Sequence, residues 1–286
     1  MKKLLRILPD RIYISLMYYK HFKRFPNLKN PKTFNEKLNW LKLHNRKDEH
    51  TMLVDKFLVK EYISDVLGEE YVIPTLGVWE HANEIDFDSL PNQFVLKWNH
   101  DSGSVIICRD KSKFDISSAI EKLNKYEDHN GYWYGREWPY KNIKRKIIAE
   151  QYIEDETGGL VDYKFFCFDG VVDSVMICLD RHIGDPKFYF FDEDWNLKRL
   201  NIRGKEAPAD FTVRKPDCID EMFAIAKRLS VGHPFVRVDL YECSGIIYFG
   251  ELTFYPDSGF DSNLLSETDV YFGKLLNLGT KQMEGK

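Results

Sequence analysis

The sequence has no apolar run long enough to cross a membrane, and its basic opening, MKKLLRILPDRI, breaks into charge before a signal or spanning length is reached. Cysteine is sparse. Five cysteines, an odd number with no CxxC pair, argue against a disulfide framework and against a zinc site, and they fit a reducing cytoplasm. No internal repeat or low-complexity tract interrupts the chain. There is no GK[ST] tripeptide either, so a Walker-type phosphate loop is excluded.

What is present is a chain of 286 residues, with room for one large or two modest domains and a substantial core. Aromatic residues are plentiful, and the net charge of −4 hides an asymmetry. Residues 1–47 carry thirteen Lys and Arg against Asp10 and Glu36, a formal +11, which leaves 28 bases against 43 acids in the remainder. A basic, aromatic-rich head suits an anionic partner, with a polyanionic glycan or the inner face of a membrane preferred over nucleic acid, or else it docks on the protein's own acidic body.

The hydrophobic period changes once. KTFNEKLNWLKLHNRK opens with Thr33 and Glu36 at capping-box spacing and continues as an amphipathic helix. MLVDKFLVKEYISDVLG repeats Leu53, Phe57, Leu58 and Tyr62 at helical spacing and predicts a second helix ending at Gly68. From Tyr71 onward most segments read as strands: YVIPTLGVW, QFVLKWN, SVIIC, RKIIAEQYI, DYKFFCF, VVDSVMICL and KFYFF. Single helices interrupt them at KFDISSAIEKLNKY, at 216–230 and near 263–277. The pattern predicts an α+β fold with mainly antiparallel sheets. The expected units are a helical segment over 1–70, a small subdomain over 71–153 and a C-terminal subdomain over 154–286, with EDETGG (154–159) at the seam.

PFVRVDLYECSGIIYFGELTFYP (234–256) has the look of a hairpin turning at Ser244-Gly245. A three-residue loop would set Asp239 opposite Glu251 and Arg237 opposite Thr253, whereas a two- or four-residue loop would put the acids on opposite faces. Facing carboxylates repel unless they share a cation, and oxygen-only ligands favour Mg2+ with phosphates completing its shell. The alternative is a solvent-facing edge hairpin. FVLKWNHDSGSVIIC places Lys97 on an apolar strand before a small-residue loop containing Ser102, Gly103 and Ser104, able to present N–H groups to phosphates or merely to turn the chain. Glu150 in RKIIAEQYIED and Lys164 in DYKFFCFDG are charges inside apolar strands, either functional or outward-facing.

In this order the segments resemble the ATP-grasp superfamily, and LVDKFLVKEYI, IPTLGVW, IDFDSLPNQFVLKWNHDSG, DYKFFCFDG and GELTFYPDSGF are similar to its teichuronopeptide-biosynthesis (TupA-like) branch across about 25–275. The resemblance implies an ATP-grasp fold of two α+β subdomains enclosing a nucleotide cleft. It implies that Lys97 contacts the phosphates of ATP, that Ser102, Gly103 and Ser104 close over them, and that Glu150, Gln151, Tyr152 and Ile153 grip the adenine. Lys164 would touch the nucleotide, Asp239, Glu251 and Thr253 would hold Mg2+, and Arg237 would stabilise the transferring phosphoryl group. The implied activity is a cytoplasmic, ATP- and Mg2+-dependent ligation of a carboxylate-bearing sugar or amino acid to an amine, through an acyl phosphate, for a cell-surface polysaccharide. Three departures stand out: Thr253 replaces a frequent Asn, Asp101 lies inside the phosphate loop, and 1–70 lacks alternating strands. Lys56 matches another early lysine of the family.

Other functions are open on residues alone. Asp192-x-Asp194 resembles a glycosyltransferase metal motif, although acids followed by Asn196 between short strands also make a hairpin turn. A sugar kinase would use the same ATP site. A non-catalytic glycan- or membrane-binding module would need only the basic head.

Overall fold

The computed structural model describes residues 4–154, 160–179, 184 and 186–279. Four helices come first: α1 (Asp10–Phe22), α2 (Phe34–His44), α3 (Asp48–Val54) and α4 (Val59–Val66). The capping box read from the sequence forms, since the Thr33 side chain accepts from the Glu36 N–H and the Glu36 carboxylate reaches back to the Thr33 N–H. The second predicted helix is broken in two. At the break the Asp55 carboxylate accepts from the N–H groups of Phe57 (2.9 Å) and Leu58 (3.2 Å) and from Asn99 Nδ2 (2.8 Å). A carboxylate that satisfies backbone donors one turn early competes with helix continuation, which periodicity cannot register.

The strands form two antiparallel sheets. The smaller contains β1 (Thr75–Trp79), β2 (Phe94–Trp98), β3 (Ile106–Cys108) and β4 (Ile147–Gln151) in the order β1-β4-β2-β3. Helix α5 (Ile116–Glu127) covers one face, with Leu123 in the apolar cluster of Phe94, Leu96 and Trp98, and the Trp98 indole donating to the Leu123 carbonyl at 2.8 Å. Alternation then turns Lys97 and Glu150 to the opposite face.

The larger sheet contains β5 (Val161–Phe168), β6 (Val171–Leu179), β7 (Lys187–Phe191), β8 (Leu197–Lys198), β9 (Val236–Cys243) and β10 (Ile246–Thr253), ordered β10-β9-β5-β6-β7-β8. DYKFFCF is almost continuously apolar because both of its faces are covered. Phe165 meets Phe223 of α8 (Ile219–Ser230) at 5.0 Å between ring centroids. Phe166 stacks at 5.5 Å on Phe272 of α9 (Ser266–Leu275), beside Phe34 of α2. Phe34, Leu38, Leu53, Val59 and Ile63 thus belong to the same apolar cluster as β5–β10. The two sheets fall on either side of residues 155–159, so most of the anticipated seam lies outside the described residues. Short helices α6 (Gly131–Gly135) and α7 (Ile202–Glu206) complete the α-helices of the described residues.

The expected three-residue loop between β9 and β10 is corrected. Cys243 pairs with Ile246, so Ser244 (φ 54°) and Gly245 (φ 82°) make a two-residue turn. That register runs to Phe249↔Leu240, is shifted by a bulge at Gly250, and resumes as Glu251↔Asp239 and Thr253↔Arg237. The acids face each other as expected, through a different device.

Candidate active site

Asp239 lies on β9, one strand in from the edge of the larger sheet, 1% exposed and flanked by Lys164 on β5 and Glu251 on β10. Its Oδ1 accepts from Arg237 Nε at 2.7 Å, and its Oδ2 accepts from Arg237 at 2.6 Å and from Lys164 Nζ at 2.5 Å. The same Arg237 reaches Glu251 Oε1 (3.3 Å) and Thr253 Oγ1 (3.1 Å), and Thr253 donates to Glu251 at 3.0 Å. Lys56 Nζ approaches Glu251 Oε2 at 3.5 Å. Glu251, an acid in an apolar strand, therefore meets two cations and a hydroxyl. Burial opposes its charge, but Lys56, Arg237 and Lys164 outweigh that and hold the carboxyl down to about 2. Burial likewise opposes the Arg237 cation, and the adjacent carboxylates more than restore it.

Glu150 presents the same pattern on the smaller sheet. Only 4% exposed, it is gripped by Lys97 and by Lys60 of α4, the latter at 2.7 Å. Burial raises its pKa, yet Lys97 and Lys60 together leave it below the ordinary value. Lys60 also donates to the Ile73 carbonyl and to Thr75 Oγ1, both at 2.8 Å.

The loop after Lys97 is organised around Asp101. Its Oδ1 accepts from Ser104 Oγ (2.5 Å) and Ser104 N (3.3 Å), while Ser104 Oγ accepts from the Trp98 N–H at 2.8 Å. Asp101 is buried beneath the loop, which removes the conflict of an acid facing phosphate. Ser102 and Gly103 are exposed at the tip, and a Cβ on Gly103 would stand 2.5 Å from the ring of Tyr126. Gln151, Tyr152 and Ile153 continue from the end of β4. Gln151 is exposed, Tyr152 is held through its hydroxyl by Arg109 and Glu154, and Ile153 is half-buried.

The structure thus gathers Lys164, Arg237, Asp239, Glu251 and Thr253 into one contact network, and Lys97 and Glu150 into a second. Lys56 and Lys60, both from the α3–α4 corner, supply one cation to each. Lys60 was missed, although its position in LVDKFLVKEYI, four residues after Lys56, was the available signal. The networks meet across a gap of about 20 Å³ lined by Lys56, Lys60, Lys97 and Glu150 on one side and Tyr241, Phe249 and Gly250 on the other. Beside it, sharing Lys60 and Val72, opens a hollow of about 430 Å³. Asp192 forms the β7–β8 turn, its carboxylate accepting from the Asn196 N–H at 2.7 Å, as the hairpin reading required.

The sequence model of the TupA-like ATPgrasp family matches residues 36–277. The chain belongs to that family. It is accordingly an ATP-grasp ligase with the ATP-grasp fold. No curated protein matches the sequence. Among solved structures it is similar to the D-alanine–D-alanine ligase of Bacillus anthracis, with 17% identity over 81% of this chain and 67% of that one and a TM-score of 0.47. The Helicobacter pylori D-alanine–D-alanine ligase follows at 15% identity over 85% and 69%, TM-score 0.45. The VanG D-Ala:D-Ser ligase of Enterococcus faecalis stands at 15% over 81% and 60%, TM-score 0.44. Likeness at that level carries no weight for substrate or mechanism.

Mg2+ fits the side chains present. Asp239, Glu251 and Thr253 offer only oxygen, and Glu251 is held ionised. Among the described residues no group of three or more His, Cys, Asp or Glu is poised as a metal cage, so most of a hard cation's shell is left to water or a phosphate ligand.

Proposed function

We propose that this ATP-grasp ligase joins an amine, such as that of an amino acid, to the carboxylate of a uronic acid in cell-surface polysaccharide biosynthesis, using ATP and Mg2+. One observation carries the reading: among the described residues Lys56, Lys60, Lys97, Lys164 and Arg237 form ion pairs with Glu150, Asp239, Glu251 and, at 3.7 Å from Lys164, Asp162, which is five cations for four carboxylates. A surplus of cations lining a narrow gap suits a polyanion such as the triphosphate of ATP.

In the reaction a substrate carboxylate oxygen attacks the γ-phosphorus and ADP leaves. An amine nitrogen then attacks the acyl carbon, phosphate leaves, and the nitrogen gives up a proton. Mg2+, when bound, would neutralise charge on the phosphate oxygens. The protein's part is positioning and electrostatics. Lys97 and Lys60 exchange Glu150 for phosphate oxygens, and Lys56 and Arg237 do the same from Glu251, freeing that carboxylate for the metal. The exposed tip at Ser102 and Gly103 closes over the phosphates, excluding water from the acyl phosphate. Glu150 to Ile153 meet the adenine.

The test is ADP release screened over pairs of uronic acids and amino acids, with the amide identified by mass spectrometry. Hydroxylamine should intercept the acyl phosphate as a hydroxamate. ADP release to a sugar hydroxyl, with no hydroxamate, would instead identify a kinase.

A further inference from the structure

Helix α1 is apolar on two opposite sides. Tyr13, Ile14 and Tyr18 are buried against the protein, where the Arg136 guanidinium lies 4.4 Å from the Tyr13 ring. On the other side Ile12, Leu16 and Tyr19, at i, i+4 and i+7, form a single stripe facing outward. They are 50%, 48% and 47% exposed. Phe25, 62% exposed, stacks on Tyr19 at 5.0 Å, and Ile7, 79% exposed, precedes the helix. Isolated exposed apolar residues need no explanation, but a continuous stripe of this kind does.

The charge around the stripe identifies its occupant. Arg11, Lys20 and Lys23 are exposed on the same segment, and among the described residues no carboxylate pairs with them. The two acids of residues 1–47 are already engaged. Asp10 is bound by Arg46 at 2.5 Å and by the Tyr132 hydroxyl, and Glu36 by Arg24 at 2.7 Å and by backbone N–H groups. Arg11, Lys20 and Lys23 therefore keep their positive charge facing outward, whereas Lys42 is buried against the Gly135 and Ser258 carbonyls and Lys47 pairs with Glu49. A helix with an apolar strip bordered by Lys and Arg and an aromatic belt is the physical profile of an interfacial element.

We propose that α1 is a membrane-docking surface, its Ile12–Leu16–Tyr19 stripe and Phe25 entering the headgroup region of an anionic phospholipid bilayer while Arg11, Lys20 and Lys23 meet lipid phosphates. The apolar and electrostatic parts are both required, since one weak signal gives only marginal, reversible binding. This inference is independent of the ligation chemistry, and its residues lie outside the catalytic network.

The experiment is co-sedimentation of the full chain with vesicles of phosphatidylglycerol and phosphatidylcholine, or of phosphatidylcholine alone. Binding is expected only to the anionic vesicles and should weaken as salt rises. Leu16→Glu should lower the partition coefficient about tenfold or more, because an apolar side chain no longer leaves water. Arg11→Gln with Lys20→Gln should also weaken binding and flatten its salt dependence. Circular dichroism and Tm of both variants should match wild type, since every altered side chain is exposed. Absence of vesicle binding by the wild type overturns the proposal, as does binding unchanged by Leu16→Glu. So does capture by a soluble polyuronate without vesicle binding, or a dimer that Leu16→Glu dissolves and that fails to bind vesicles.

Discussion

Glu251 stands directly across from Asp239 although the turn joining their strands, taken alone, would place it out of register. The bulge at Gly250 supplies the missing step, and the close approach there requires glycine: a Cβ would lie 3.0 Å from the Asp239 carbonyl oxygen and 3.0 Å from the Tyr241 ring. Deleting Gly250 removes the bulge and leaves Glu251 directly after Phe249, in plain register opposite Asp239, so ADP formation should survive while the Ser244-Gly245 turn remains. Gly250→Ala keeps the register and should retain turnover with a stability loss of about 1–3 kcal/mol from overpacking. Kinetics and thermal melts on the pair check both outcomes.

Asp239 and Glu251 should respond differently to removal. Asp239 is buried between two cations, so Asp239→Ala removes the nearest carboxylate of both, leaving Arg237 with Glu251 at 3.3 Å and Lys164 with Asp162 at 3.7 Å, and should destabilise the fold by about 3 kcal/mol. Glu251 is 29% exposed, so Glu251→Gln should fold normally and lose about 100-fold or more in ADP formation. Urea unfolding alongside steady-state kinetics checks both, and wild-type-like turnover in Glu251→Gln would falsify its metal-binding role.

The Lys60–Glu150 contact should show coupling in a double-mutant cycle. Lys60→Met and Glu150→Gln are each expected to destabilise, and the double variant by less than their sum, with an interaction of about 1–3 kcal/mol. If the lysine also serves the nucleotide, Lys60→Met will raise the KM for ATP more than it lowers kcat.

Stability should fall on the acid side because of buried imidazoles. His50 is 1% exposed and stacks on Phe254 at 4.2 Å. Burial, then His233 and Lys47, push its pKa down to about 4, with Glu49 opposing weakly. The folded state disfavours the proton, so this contribution is complete above the unfolded value near 6.5 and is lost as pH falls from there toward 4. Between pH 6.5 and 5 the loss from His50 alone is about 2 kcal/mol. His50→Phe should flatten the pH dependence of Tm by that share.

Much of the fold was legible because its strands are short, strongly apolar and bounded by turn residues, and because Thr33 and Glu36 announce their helix. The α3–α4 corner was not legible. Asp55 breaks the helix by accepting from the Phe57 and Leu58 N–H groups, and its other oxygen is held by Asn99, a partner from the other side of Gly68 that periodicity does not see. The opposition of Asp239 and Glu251 was anticipated from loop length, yet the observed loop is shorter and Gly250 makes up the difference. A bulge of one glycine has almost no sequence signature beside the ordinary alternation. The partner of Glu150 was half visible: Lys97 is adjacent in the sheet, while Lys60 arrives by tertiary packing.

The corner at Asp55 sends Lys56 to the larger sheet and Lys60 to the smaller one, only four residues apart in the chain. That short segment is therefore a strap fastened at both ends by charge. Anything that draws either ammonium away from its carboxylate unbuckles one side, so filling the gap with anionic oxygens would also loosen the sheets' hold on each other. Grip on a ligand and part of what ties the two halves together thus draw on the same pair of contacts, beside the Asp55–Asn99 bond and the apolar packing of Val59 and Ile63.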